Sequence, residues 1–160
     1  MIVSNSSPLI ALGKEGRLSL LKMLFGIVSI PPAVREELLE MKESPEAVAL
    51  EKAQEEGWVV VDEVEPHPLL PDPLGKGERY AISLALRKRC AVLLDDDLGR
   101  QYAELLGLVS YGTLRVLLSA AQKKILNKKQ ARLLLDSMIA KKFYISIAVY
   151  QEFLHLLEDD

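Results

Sequence analysis

The chain has a single cysteine, two histidines and 6% aromatic residues. One cysteine cannot form an internal disulfide, so nothing here resembles the disulfide framework of a small secreted domain. Cys90 lies beside Ala91 and Val92 as a small core residue would, which fits a reducing compartment. His67 stands in a proline-rich stretch and His155 near the end of the chain, without ligand spacing, which argues against a zinc centre. No apolar run approaches the ~20 residues needed to cross a bilayer. The N-terminus lacks a basic region ahead of a long apolar segment, so a signal peptide is not indicated. The expectation is a soluble, cytoplasmic protein with no membrane association. An excess of charge of either sign is also lacking, with a formal net charge of -3. Any attraction for nucleic acid must therefore come from local patches or bound metal.

What the chain does have is apolar material, 49% of 160 residues, enough to bury a full core and ordinary for one domain spanning 1–160. Short β-rich runs bounded by turn residues occur at 2–4, 27–30, 58–61, 91–94 and 108–110. Their continuous apolar character is that of strands covered on both faces. Helical patterns lie between them. Ser7 followed by Pro8 reads as a helix start, and Pro31-Pro32 opens another over 33–41. Further helices read at about 17–25, 46–56, 77–89, 98–106, 113–123, 128–140 and 147–157, with Gly26, Gly57 and Gly107 as stops. Segment 64–77 holds four prolines and two glycines and reads as an irregular loop. Strand alternating with helix predicts an α/β fold, a three-layer α/β/α sandwich around a mostly parallel central sheet. Chemistry is expected at the carboxyl ends of its strands.

Several acidic residues fall where solvation alone does not explain them. A projection at 100° per residue sets Glu78 amid Ala81, Ile82 and Ala85 on the apolar face of its helix. Desolvating such a carboxylate costs several kcal/mol unless a cation or hydrogen-bond donors compensate. In the helix after Pro31-Pro32 the apolar stripe runs through Val34, Leu38 and Met41; Glu37 flanks it and Glu36 points away. Asp95, Asp96 and Asp97 follow the strand at 91–94 directly. One of them serves as an N-cap, which leaves the others without a local reason. Asn5 ends the first strand, either as a turn or cap residue or as a neutral oxygen ligand. Hard cations such as Mg²⁺ and Mn²⁺ select carboxylate and amide oxygens and bridge an acidic pocket to phosphate. Arg100, one turn past the aspartates, is placed to orient a carboxylate or contact phosphate.

Four segments together, Ser4-Asn-Ser-Ser-Pro-Leu-Ile-Ala-Leu12, Ile30-Pro-Pro-Ala-Val-Arg-Glu-Glu-Leu38, Leu74-Gly-Lys-Gly-Glu-Arg-Tyr-Ala-Ile82 and Leu93-Leu-Asp-Asp-Asp-Leu-Gly-Arg100, resemble the PIN-domain superfamily over most of the chain. The resemblance is strongest to its prokaryotic branch related to VapC-type toxins. It implies a ribonuclease that uses Mg²⁺ or Mn²⁺ to hydrolyse RNA, leaving a 5′-phosphate and a 3′-hydroxyl. Its four acids fall on Asn5, Glu37, Glu78 and the Asp95-Asp96 pair, with Asp97 if the register slips by one. Glu37, Glu78, Asp95 and Asp96 would then be catalytic, and Asn5 a neutral replacement for a charged ligand. The small hydroxyl residue of the motif falls on Ser6 or Ser7. The resemblance further implies a homodimer and, for a toxin, a restraining antitoxin protein. A competing expectation is a degenerate module that binds RNA or a protein without cutting. A phosphatase or receiver-like domain lacks its usual post-strand pattern here.

Overall fold

The computed structural model describes residues 1–159. β1 (Ile2–Ser4), β2 (Val28–Ile30), β3 (Val59–Val61), β4 (Ala91–Leu93) and β5 (Ser110–Tyr111) form one sheet in the order β3-β2-β1-β4-β5. All four pairings are parallel, with Ile2 opposite both Val28 and Ala91. The strands are short, and every residue of β1 and β2 is inaccessible to solvent. Alternation then sorts side chains between the two faces. Ile2, Val28, Ile30, Val59 and Leu93 enter the larger core, and Val3, Val92 and Leu94 enter the smaller one.

The larger core lies under α1 (Ser6–Lys14), α2 (Ser19–Phe25), α3 (Pro32–Leu39), α4 (Pro45–Glu55), α7 (Thr113–Gln122), α8 (Lys128–Ala140) and α9 (Ile147–Glu158). The smaller core is covered by α5 (Lys76–Lys88) and α6 (Asp97–Leu105). This is the expected α/β architecture with helices on both faces. Gly26, Gly57 and Gly107 end their elements at positive φ (77°, 84° to 85°), where a Cβ would be strained. No described helix is long and apolar enough to cross a membrane.

Three local details depart from the sequence expectation. α1 begins at Ser6, with Asn5 in the N-cap position, because the Asn5 N–H still bonds the carbonyl of Leu93 at 3.0 Å as an extension of the sheet. Met41 is 74% exposed because α3 has already ended at Leu39. Ser83 is buried, its hydroxyl accepting from the His67 N–H and donating to the Arg79 carbonyl, so it ties down the proline-rich loop. Leu70 and Leu74 of that loop are buried too, so the segment is irregular but anchored.

The order of strands reverses at β1. The chain runs outward from β1 to β2 and β3, then returns to place β4 on β1's other side. Crevices at such points receive ligands at the strand carboxyl ends. Asn5 and Asp95 follow β1 and β4 there.

α1 is set in place by a close crossing over α4. A Cβ at Gly13 would lie 2.9 Å from both Cα and Cβ of Glu46, so even alanine forces the two helices apart. Gly13→Ala is expected to lower stability in urea denaturation by about 1–3 kcal/mol, overpacking outweighing the gain of up to ~1 kcal/mol in helix propensity. Unchanged or higher stability would show that the crossing yields freely.

Candidate metal centre at the sheet switch point

Asn5 occupies an N-cap position yet makes no cap hydrogen bond to α1. Its side-chain Nδ2 instead donates to Oε1 of Glu78 at 3.0 Å. That choice fixes the amide's orientation, since the reverse would place Oδ1 against a carboxylate. Oδ1 is left buried and unpartnered. Beside it, the Ser6 hydroxyl donates to Oε2 of Glu37 at 2.6 Å. Ser6 is 3% exposed, whereas the Glu37 residue as a whole is open to solvent and Glu78 is half-buried.

Gly77 allows these groups to converge. A Cβ there would meet Asn5 Oδ1 at 2.8 Å, Glu37 Oε2 at 3.6 Å and Ser6 Oγ at 3.8 Å. Three oxygens thus crowd one point at the start of α5, next to the N-terminus of α1. They border a cavity of about 200 Å³ whose lining includes Asn5, Ser6, Ser7, Glu37 and Glu78. Oxygen-only donors, one of them a buried amide oxygen lacking any hydrogen bond, fit a hard divalent cation. Asn5, Glu37 and Glu78 are the residues that would hold it.

The post-strand aspartates are placed differently. Asp95 accepts from the Thr113 N–H at 2.8 Å and from its hydroxyl at 2.6 Å, fastening β4 to the N-terminus of α7. Asp96 caps α6 through Gly99 N–H at 2.7 Å, and Asp97 is exposed in that helix's first turn. Among the described residues, no three His, Cys, Asp or Glu side chains gather as a metal-holding group. The structure therefore joins Asn5, Ser6, Glu37 and Glu78 and sets Asp95, Asp96 and Asp97 apart, because Asp95 and Asp96 turn to the N-termini of two different helices and Asp97 faces solvent. Asp96 stays nearest, its Oδ2 and the Glu78 Cγ both bordering Gly99. Arg100 lies with Asp95 against Gly112 and attracts that carboxylate.

Residues 1–159 match the family model DUF3368, described as a PIN domain. The chain belongs to the PIN-domain family. Such domains are commonly nucleases and typically use divalent metals. The PIN fold is also seen in a solved structure that this chain resembles, a PilT N-terminus domain protein, SSO1118, from the archaeon Sulfolobus solfataricus P2. That likeness has a TM-score of 0.51 at 15% identity, covering 75% of this chain and 93% of the other. No curated protein matches the chain.

Several residues of this PIN domain's site were not visible in the sequence. Thr113, wholly buried, binds Asp95 from 18 positions away. Lys14, Lys141, Lys142 and Phe143 line the cavity from α1 and from the turn after α8. The only sequence signal was a basic pair followed by an aromatic residue.

Burial pushes the Asp95 carboxyl above its ordinary value, while the two Thr113 bonds, Arg100 and the Ser7 hydroxyl oppose it. A raised folded value means that protonation favours the folded state. Asp95 therefore contributes stability that is complete below the unfolded value of 3.8 and is lost as pH climbs through the higher folded value. Relative to Asp95→Asn, the wild type should become steadily less stable over that rise, measured by urea denaturation across pH. A difference that is flat or of opposite slope would contradict the burial effect.

Proposed function

We propose that this PIN domain is a divalent-metal-dependent endoribonuclease whose centre is built on Asn5, Glu37 and Glu78. The observation that carries the reading is the buried, unpartnered Oδ1 of Asn5, which converges on Gly77 with oxygens of Glu37 and Ser6. When bound, Mg²⁺ or Mn²⁺ supplies charge neutralisation at the scissile phosphate and activation of the attacking water. The chain's own residues set the geometry. Ser6 holds Glu37 by one carboxylate oxygen, and Asn5 holds Glu78 by one, leaving each acid a second oxygen for ligation or for taking up the water's proton. Asp96 borders Glu78 across Gly99 and adds negative charge at longer range. Asp95 positions the end of β4 with Arg100 beside it, and Ser7 lines the cavity where phosphate would approach. Hydrolysis would proceed in line and leave a 5′-phosphate and a 3′-hydroxyl.

On the same reading RNA is the substrate, one domain carries the activity, and the protein acts in the cytoplasm as a homodimer. The VapC resemblance supports a toxin role, with a small antitoxin protein as the restraining partner. Cleavage of labelled RNA in Mn²⁺ should fall by ~100-fold or more in Glu78→Gln and in Glu37→Gln, as expected when a ligand is removed. Cleavage that survives both substitutions would reject the centre.

A second reading, a binding module that no longer cuts, is favoured by the neutral residue at position 5 and by Asp95's engagement with Thr113. Asn5→Asp discriminates between them. It sets a second carboxylate against Glu78, which should lower Tm in EDTA and enlarge the stabilisation by Mn²⁺ beyond the wild-type value. A sharp gain of cleavage from an inactive parent would establish the degenerate reading; no Mn²⁺ effect on Tm in either protein would remove the metal centre altogether.

A further inference from the structure

The cavity beside Asn5 has two unlike walls. Glu37 and Glu78 make one acidic, while Ile10, Met138 and Phe143 make the other apolar. Its rim carries three lysines with different commitments. Lys141 pairs with Glu15 at 3.0 Å, and Lys14 stands 4.0 Å from Glu46. Among the described residues, Lys142 has no carboxylate within 4.0 Å and is exposed.

A ligand satisfying all three surfaces must combine a flat apolar part with an anionic group that tolerates a cation between itself and the two glutamates. An acidic peptide offers an anion and a flat aromatic group only on separate residues, not within one compact unit. A nucleotide offers both. The base of a duplex is stacked and paired, and a recess of about 200 Å³ leaves no room for its neighbours. Aromatic walls beside cations are how unpaired bases are held. Resting on the nuclease reading above, we infer that this cavity takes one unpaired nucleotide, its base against Phe143 and Met138 and its phosphate held by Lys142.

Lys142 also provides a clean test. Its φ of 74° lies in the left-handed region, at the turn where the Phe143 N–H bonds back to the Met138 carbonyl at 3.0 Å. Glycine is favoured there, so removing the side chain relieves backbone strain instead of disrupting the fold. Arg89 and Lys124 adopt the same conformation elsewhere, so the strain itself is no mark of a site. It is what makes Lys142→Gly informative.

Binding of a labelled ten-nucleotide single-stranded RNA to the full chain, followed by fluorescence anisotropy in Ca²⁺ over a range of NaCl, tests the inference; gels confirm that the RNA stays intact. Lys142→Gly should keep or raise Tm, weaken binding, and reduce the slope of log affinity against log salt by about 0.7, the value for one phosphate contact on a single strand. Phe143→Leu, which keeps the apolar packing, should weaken binding roughly tenfold with the slope unchanged. Wild-type binding by either variant, or equal affinity for a duplex of the same sequence, overturns the inference. RNA binding with both dependences but no cleavage by any form removes the nuclease reading and leaves the pocket standing. Cleavage that depends on Glu78 but not on Lys142 or Phe143 removes the pocket alone.

Discussion

One hydrogen bond organises the site: Asn5 Nδ2 to Glu78 Oε1 at 3.0 Å. An asparagine at an N-cap ordinarily accepts from the first turn of its helix, a contact worth about 1 kcal/mol. Here α1 goes without it. Asn5 is anchored by its backbone to β4 and turns its amide toward α5 instead. Three consequences follow from that geometry. The N-terminus of α5 is fastened to the β1–α1 junction, a side chain at position 77 would displace the Asn5 amide, and a carbonyl oxygen is left buried without a donor. A buried acceptor left unpaired costs roughly 1–3 kcal/mol, a cost that a bound cation would offset.

The acids after β4 illustrate how a run of like charge is accommodated. Asp95 turns to the N-terminus of α7, and Asp96 to the N-terminus of α6, while Asp97 remains in solvent. Each of the first two meets backbone N–H groups at the positive end of a helix, which stabilises a carboxylate without a metal. Mutual repulsion is relieved by divergence. The negative charge that lines the cavity consequently comes from α3 and α5, while Asp95 and Asp96 fasten helix N-termini beside it. Asp95 and Thr113 join the second half of the sheet to the larger core through α7, much as Asn5 and Glu78 join its first half to the smaller one.

Much of this was written locally. Burial on both faces makes the strands legible as continuous apolar runs, and proline, glycine and cap residues mark most helix ends to within a residue or two. Glu37 and Glu78 were identifiable because helical periodicity ties a side chain's direction to its neighbours within one turn. The same reasoning failed for Met41, since periodicity says nothing about where a helix stops. It failed also for Ser83, whose burial depends on a loop that folds over it. Adjacent aspartates were indistinguishable in sequence because short flexible carboxylates after a strand can turn to any nearby donor.

The sequence by itself determined the alternation of strand and helix, the resemblance to the PIN family and the half-buried setting of Glu78, because these rest on patterns within short segments. Only the tertiary structure decided which oxygens meet. Asn5's choice of Glu78 over its own helix, Thr113's capture of Asp95, and the arrival of Lys142 and Phe143 at the cavity all join segments from 18 to more than 130 residues apart. Contacts at such separations are fixed by the packing of the sheet and its two helical layers, and no local periodicity encodes them.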